Sequence, residues 1–185
     1  MGALMDKFHD SVFVHPTSVQ HGRVTVGKYS SLWASSVLRG DFNPITIGSF
    51  INIQDNCTLH AAFGFPISIG NNVTVAHNTV LHACTIEDNC MISMGTVVQD
   101  RAVIGKGSIV AAGAVVREGT EVPPGSIVMG VPSETRRGRP GQEDMIKGNA
   151  ASYAALAMLY REGREVFSSD EFFKKVEEIK DEMET

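Results

Sequence analysis

From Val26 onward an aliphatic residue returns every six positions. Val26, Leu32 and Leu38 form a first series, Ile47, Ile53 and Leu59 a second, and Ile69, Val75 and Leu81 a third. A fourth runs unbroken through Ile86, Ile92, Val98, Ile104, Val110, Val116, Val122 and Val128. All 17 positions are Val, Ile or Leu. A helix of period 3.6 cannot hold a six-residue step on one face for that length, and an ordinary strand repeats every two residues. The step instead describes a chain that turns a corner after each short strand. Three hexapeptides, about 18 residues, then complete one triangular coil, and about six coils stack as parallel strands.

Four residues after most of these aliphatics stands a small residue: Ser30, Ser36, Cys57, Cys90, Thr96, Ala102, Ser108, Ala114, Thr120 or Ser126. Large and small side chains are therefore expected to alternate inward. Glycine follows the aliphatic at Gly27, Gly48, Gly70 and Gly105, where it reads as a corner residue that tolerates positive φ. The stretch Ala62-Phe63-Gly64-Phe65-Pro66 reads as a loop-out that leaves the register unchanged.

The six-residue step ends near Arg137. Residues 1–137 carry 9 Lys or Arg and 10 Asp or Glu, against 7 and 11 in the much shorter 138–185. The chain thus divides into a β-helix domain, 1–137, and a helical extension, 138–185, that packs on it. Gly138-Arg139-Pro140-Gly141 reads as a linker, followed by helices over about 143–161 and 169–182. Leu156, Met158, Leu159, Phe172, Phe173, Val176 and Ile179 are the expected packing residues, and the extension is read as a cover for the β-helix rather than a separate module.

Composition narrows the function classes. With 185 residues, 43% hydrophobic and 20% charged, the chain suits one domain with an appendage. A formal charge of −5 argues against a nucleic-acid partner, which requires clustered cations. No stretch approaches the roughly 18 apolar residues of a membrane span, and Met1–Asp10 lacks the apolar core of a signal peptide. No membrane partner and a cytoplasmic location are expected. Three cysteines, Cys57, Cys84 and Cys90, cannot all pair within one chain and read as reduced core thiols.

Three of the six histidines stand in a fixed relation to the repeat. His60 follows Leu59 and His82 follows Leu81, so the two imidazoles should stack one strand spacing apart and reach one ion at roughly 2.0–2.1 Å from each nitrogen. His77 lies two residues after Val75, around a corner. Five extended residues span up to roughly 16 Å, so His77 would join that ion only from a neighbouring subunit in a three-fold assembly. Three neutral imidazoles would leave one coordination position open, as a catalytic zinc requires. Arg39 lies one coil earlier in the His60 column and Asp55 one coil before His77, which brings Arg39-Gly40-Asp41 and Asn52-Ile53-Gln54-Asp55-Asn56 to the same edges. Arg39 and Asp41 form either a solvated pair or a bridge between subunits. Gln54 should point outward beside the site. His9, His15 and His21 show no relation to the repeat and read as surface residues.

The hexapeptide array together with Arg39-Gly40-Asp41, Asn52 to Asn56, and His60, His77 and His82 resembles the γ-class carbonic anhydrase family. The resemblance spans nearly the whole chain and implies an all-β, left-handed parallel β-helix with C-terminal α-helices, assembled as a homotrimer. It implies zinc, with iron or cobalt as substitutes, held by His60, His77 and His82 between subunits. It further implies reversible hydration of CO2 to bicarbonate by a metal-bound hydroxide, oriented by Gln54, with Arg39, Asp41, Asn52 and Asp55 in the surrounding catalytic set. Two features depart from the best-studied pattern. Phe42 occupies the position of a Glu, and the 16 residues between His60 and His77 contain no Asp or Glu, so the usual proton shuttle is missing; Tyr153 is one substitute to look for. The alternatives are a metal-stabilised assembly trimer without turnover and an acyltransferase or thioesterase acting on coenzyme A esters.

Overall fold

Short strands separated by corners wind into a parallel β-solenoid with three faces. The computed structural model describes residues 7–164 and 167–184; the start of the segment read above for a targeting signal lies outside them. Face 1 stacks the start of Val37–Ile47 on Thr58–His60, Val80–His82, Val97–Val98 and Val115–Val116. Face 2 stacks the end of Val37–Ile47 on Ile67–Ile69, Thr85–Ile86, Val103–Ile104 and Glu121–Val122. Face 3 runs from Phe13–Val14 through Ser31–Leu32, Asn52–Ile53, Thr74–Val75, Met91–Ile92 and Ile109–Val110 to Ser126–Met129. Val19–Val26 and Val37–Ile47 cross the corner between faces 1 and 2, so those faces form one 11-stranded sheet.

Every aliphatic of the six-residue series is buried, none more than 3% exposed. Each is in register with its counterpart one coil away, as in the column Leu38, Leu59, Leu81, Val98 and Val116. The small positions fill the space between them, and Cys57, Cys84 and Cys90 are free and buried. Burial pushes each thiol up to about 12, which suits inert packing groups. The loop after His60 leaves the register intact, since Leu59 still pairs Leu81 and Ile47 still pairs Ile69.

The corners correct one sequence expectation. Positive φ falls three residues after the aliphatic, at Asn56, Asn72, Asn78 and Asn89 in early coils and at Gly95, Gly107, Gly113, Gly119 and Gly125 in later ones. Gly27, Gly48, Gly70 and Gly105 are not among the residues with positive φ. They are required by proximity: a Cβ on Gly48 would lie 2.3 Å from the Gly70 carbonyl oxygen in the next coil.

Beyond the last coil, Glu134–Arg137 folds back antiparallel on Ser126–Met129, which the repeat did not foretell. The predicted linker is pinned: the Gly138 N–H donates to the Gly125 carbonyl and Gln142 Nε2 donates to the Gly107 carbonyl. Helix α1 (Gln142–Arg161) starts with Glu143 and Asp144 and carries Arg161 in its last turn, charges that complement the helix dipole. Its face of Ile146, Ala150, Ala151, Ala154, Ala155, Ala157 and Leu159 is buried, and the small alanines let the helix approach closely. Part of that face packs on Phe13 and Trp33 of face 3. Helix α2 (Ser169–Glu184) packs Val176 and Ile179 against Ala151, Ala154, Ala155 and Phe50. Phe173, expected to pack, is 63% exposed because the contact to α1 runs along the Phe172–Val176–Ile179 stripe instead. No helix among the described residues is long and apolar enough to cross a membrane.

Candidate metal centre

Alternation along each face 1 strand turns the aliphatic inward and its neighbours outward. His60 and His82 therefore leave the solenoid in register, with Arg39 before them and His21 before Arg39. His21 thus does share the repeat's geometry, contrary to the sequence reading, although it is exposed as expected.

Nδ1 of His60 lies 3.0 Å from Nε2 of His82. The opposite ring nitrogens both meet carboxylates: Nε2 of His60 is 3.2 Å from Asp41 Oδ1, and Nδ1 of His82 contacts Asp100 Oδ1. Ionised carboxylates only accept hydrogen bonds, so those outer nitrogens carry the ring protons. Two lone-pair nitrogens are then left facing each other, a repulsive arrangement unless a proton or a cation lies between them. Two nitrogens on one tetrahedral ion at roughly 2.0–2.1 Å stand about 3.3 Å apart, close to the spacing here. Zinc, iron and cobalt all fit such a donor pair.

His77 sits at the corner between faces 3 and 1, and its Nδ1 is 2.9 Å from Asp55 Oδ2. All three histidines thus present one ring nitrogen to a carboxylate and keep the other available, the pattern typical of metal ligands. Among the described residues, no group of three or more His, Cys, Asp or Glu could hold a metal within one chain. His77 and the His60–His82 pair are two separate parts, as the five-residue spacing predicts.

The neighbouring residues divide into two groups. On the solvent side, Arg39 Nη1 bonds Asp41 Oδ2 at 2.6 Å within the chain. That bond is the main reason the Asp41 carboxyl falls to about 2, with help from the Phe42 N–H and His60. Phe42 is 56% exposed and lies edge-on to both His60 and Phe63, each 6.3 Å away by ring centroid, and Phe63 is 85% exposed. On the covered side, Asn52 and Gln54 are buried. Sequence placed Gln54 outward beside the site; it does leave the solenoid wall, but on a face that α1 covers. Its Nε2 donates to Asn52 Oδ1 at 2.8 Å and its Oε1 accepts the His77 backbone N–H at 3.2 Å. Tyr153 of α1 packs edge-on to Trp33. Burial, and then the Asp55 charge, raise its hydroxyl above the ordinary value, so it is a poor proton acceptor near neutral pH.

Asp100 was missed by the sequence reading. Asp100 follows His82 by 18 residues, but the coil here is only 17 residues long, since Leu81 pairs Val98, so the repeat puts Gln99 after His82 and Asp100 one position beyond, at the corner.

A family model described as bacterial transferase hexapeptide (six repeats) matches residues 83–118. A Methanocaldococcus jannaschii protein named a probable carbonic anhydrase is 46% identical over 137 residues, covering 74% of this chain and 86% of that protein. The mitochondrial gamma carbonic anhydrase 2 of Arabidopsis thaliana is 40% identical over 101 residues, 51% of this chain and 35% of the plant protein. The crystal structure of a hexapeptide transferase family protein from Anaplasma phagocytophilum superposes with a TM-score of 0.80 at 35% identity, covering 84% of this chain and 92% of that one. The family model and the Anaplasma structure carry transferase names, whereas the 46% identity to the probable carbonic anhydrase runs over most of both chains. On that ground the chain belongs to the γ-class carbonic anhydrase-like family of hexapeptide-repeat proteins.

Proposed function

We propose that this protein is a metal-dependent γ-type carbonic anhydrase, a lyase that interconverts CO2 and bicarbonate at sites between the subunits of a homotrimer. The observation that carries the reading is the shared carboxylate–imidazole pattern of His60, His77 and His82. His60 through Nδ1 and His82 through Nε2 would hold zinc together with His77 from a neighbouring copy, with iron or cobalt able to replace it. A zinc ion bound by three imidazoles lowers the pKa of water to about 7, which supplies a nucleophile for CO2 at neutral pH.

The chain's own residues set the rest. Asp41, anchored by Arg39, keeps a proton on His60 Nε2; Asp100 does the same at His82 Nδ1 and Asp55 at His77 Nδ1. Gln54 has one Nε2 hydrogen not used by Asn52 and offers it as a donor to an oxygen of the substrate. Phe42 and Phe63 provide an apolar wall suited to CO2 and limit water. Neither supplies a base, so the released proton passes to external buffer.

The trimer reading is supported by face 1 itself. Its outward column next to the aliphatics runs Val19, Val37, Thr58, Val80, Val97 and Val115, and Val19 and Val80 are exposed. An apolar stripe beside the His60–His82 pair suits burial against another copy. Buried thiols and the lack of clustered cations support a cytoplasmic protein without a nucleic-acid partner.

A second reading, acyl transfer on coenzyme A esters, is favoured by the transferase repeat model over 83–118. The test is elemental analysis of protein purified without a metal-affinity tag, its mass in solution, and stopped-flow CO2 hydration on the same sample. One metal per chain in a trimer with hydration above background supports the enzyme. A metal-loaded trimer without hydration leaves an assembly role, and metal-free protein that binds acetyl-coenzyme A leaves the transferase.

A further inference from the structure

A line of hydrogen bonds joins α1 to the corner that carries His77. The His77 N–H donates to Gln54 Oε1 at 3.2 Å; Gln54 Nε2 donates to Asn52 Oδ1 at 2.8 Å; Asn52 Nδ2 donates to Thr74 Oγ1 at 2.9 Å; and Thr74 Oγ1 donates to Asn149 Oδ1 at 2.8 Å. Asn52 and Thr74 are in register on adjacent coils of face 3. Asn149 is 75 residues away, on α1. Asn52, Gln54 and Thr74 are all buried, and among the described residues no buried side-chain nitrogen or oxygen lacks a partner.

The line has only one workable direction. A backbone N–H can only donate, so Gln54 must turn its oxygen to His77 and its nitrogen to Asn52. Asn52 must then turn its nitrogen to Thr74, whose hydroxyl can both accept and donate. Reversing the Gln54 or Asn52 amide would set two donors face to face under the helix, and reversing Asn149 would leave the Thr74 O–H without an acceptor, in each case at the cost of a buried unpaired group. The end of the line therefore needs an acceptor, and Asn149 Oδ1 is that acceptor. Four bonds pointing the same way polarise one another in the low dielectric beneath α1.

From this geometry we propose that Asn149 is a positioning residue: through Thr74, Asn52 and Gln54 it holds the backbone at His77 and fixes which end of the Gln54 amide faces the site. Helix α1 is then part of the site's support as well as a cover for face 3. The proposal builds on the metal reading of His77, but its first measurement does not need a metal.

The variants are Asn149→Ala, which removes the acceptor; Asn149→Asp, which keeps an acceptor oxygen; and Leu156→Ala, which loosens α1 near Trp33 without touching the line. Hydrogen–deuterium exchange of metal-free protein, followed in peptides spanning 76–82, should speed up roughly tenfold in Asn149→Ala and stay within about twofold of wild type in Asn149→Asp. Leu156→Ala should lower Tm and leave exchange in 76–82 unchanged. Zinc affinity, measured by chelator competition, should fall roughly three- to tenfold in Asn149→Ala and recover in Asn149→Asp. Wild-type exchange in Asn149→Ala, equal effects of Asn149→Ala and Leu156→Ala, or altered exchange with unaltered zinc affinity would each overturn the role. Wild-type protein that takes up no zinc would remove the metal reading, and the exchange comparison would still decide whether Asn149 holds His77.

Discussion

Asp100 offers the sharpest test of the centre because its carboxylate contacts a ring nitrogen while its backbone serves the fold elsewhere. The Asp100 carbonyl accepts the Gly119 N–H at 2.8 Å, and that bond survives any side-chain change. In Asp100→Asn an amide oxygen can still accept from His82 Nδ1, but the charge assistance is lost. Charged hydrogen bonds contribute roughly 1.5–3 kcal/mol and neutral ones about 0.5–1.5. The Asp100 side chain is 34% exposed, so screening favours the low end, and a loss of about 1 kcal/mol, close to fivefold in metal affinity, is expected. Asp100→Ala leaves His82 free to rotate and to change tautomer, for which a loss of roughly 10- to 100-fold is typical. Chelator-competition titrations with zinc and cobalt should rank wild type first, Asp100→Asn second and Asp100→Ala last, with circular dichroism unchanged. Equal affinities for wild type and Asp100→Ala would refute the claim that this carboxylate orients His82.

Four other outcomes follow from the geometry. The Asp41 carboxyl, held to about 2 against an ordinary 3.8, should titrate near 2 by carbon NMR and move upward in Arg39→Ala. Because the folded value is the lower one, its stabilising effect is complete above 3.8 and disappears as the pH falls through about 2. A thiol reagent at pH 8 should label none of the three cysteines in native protein and all three after unfolding; rapid native labelling would contradict their burial. Gly48→Ala should lower stability by about 1–3 kcal/mol in urea unfolding, since its Cβ would meet the Gly70 carbonyl, and an unchanged midpoint would refute the close-approach account. Under the carbonic anhydrase reading, CO2 hydration should rise with buffer concentration, and Phe42→Glu, by placing a carboxylate beside His60, should weaken that dependence; a rate independent of buffer in wild type would show that proton release has another route.

The parts of this architecture that could be read in the sequence are those governed by the 18-residue coil. The inward column from Val26 to Val128, the stacking of His60 on His82 and the separation of His77 all follow from counting. Asp100 does not, because the coil from Leu81 to Val98 is one residue short and puts Gln99 in the His82 column. Gln54 resisted such reading because its burial depends on α1, which arrives almost a hundred residues later, and periodicity says nothing about which face a distant helix covers. The glycines were misread for a related reason. Counting places Gly48 beside a corner, but only the stacked coils bring the Gly70 carbonyl against it. Phe173 shows the same limit, since two adjacent phenylalanines on a short helix cannot both face its partner.

The antiparallel segment Glu134–Arg137 bears on how the molecule avoids growth without end. A parallel solenoid finishes in a rung of unpaired backbone groups, and another copy could stack on it as though it were the next coil, rung after rung into a fibre. Here the last strand of face 3 is already paired by a segment running the wrong way, with exposed Glu134, Arg136 and Arg137 along it. On face 1 the Val115 N–H donates to Gly130 and its carbonyl accepts from Ser133. Two of the three faces at this end are thus closed to a further parallel rung, so a copy stacking here would find a full set of unpaired backbone groups on face 2 alone.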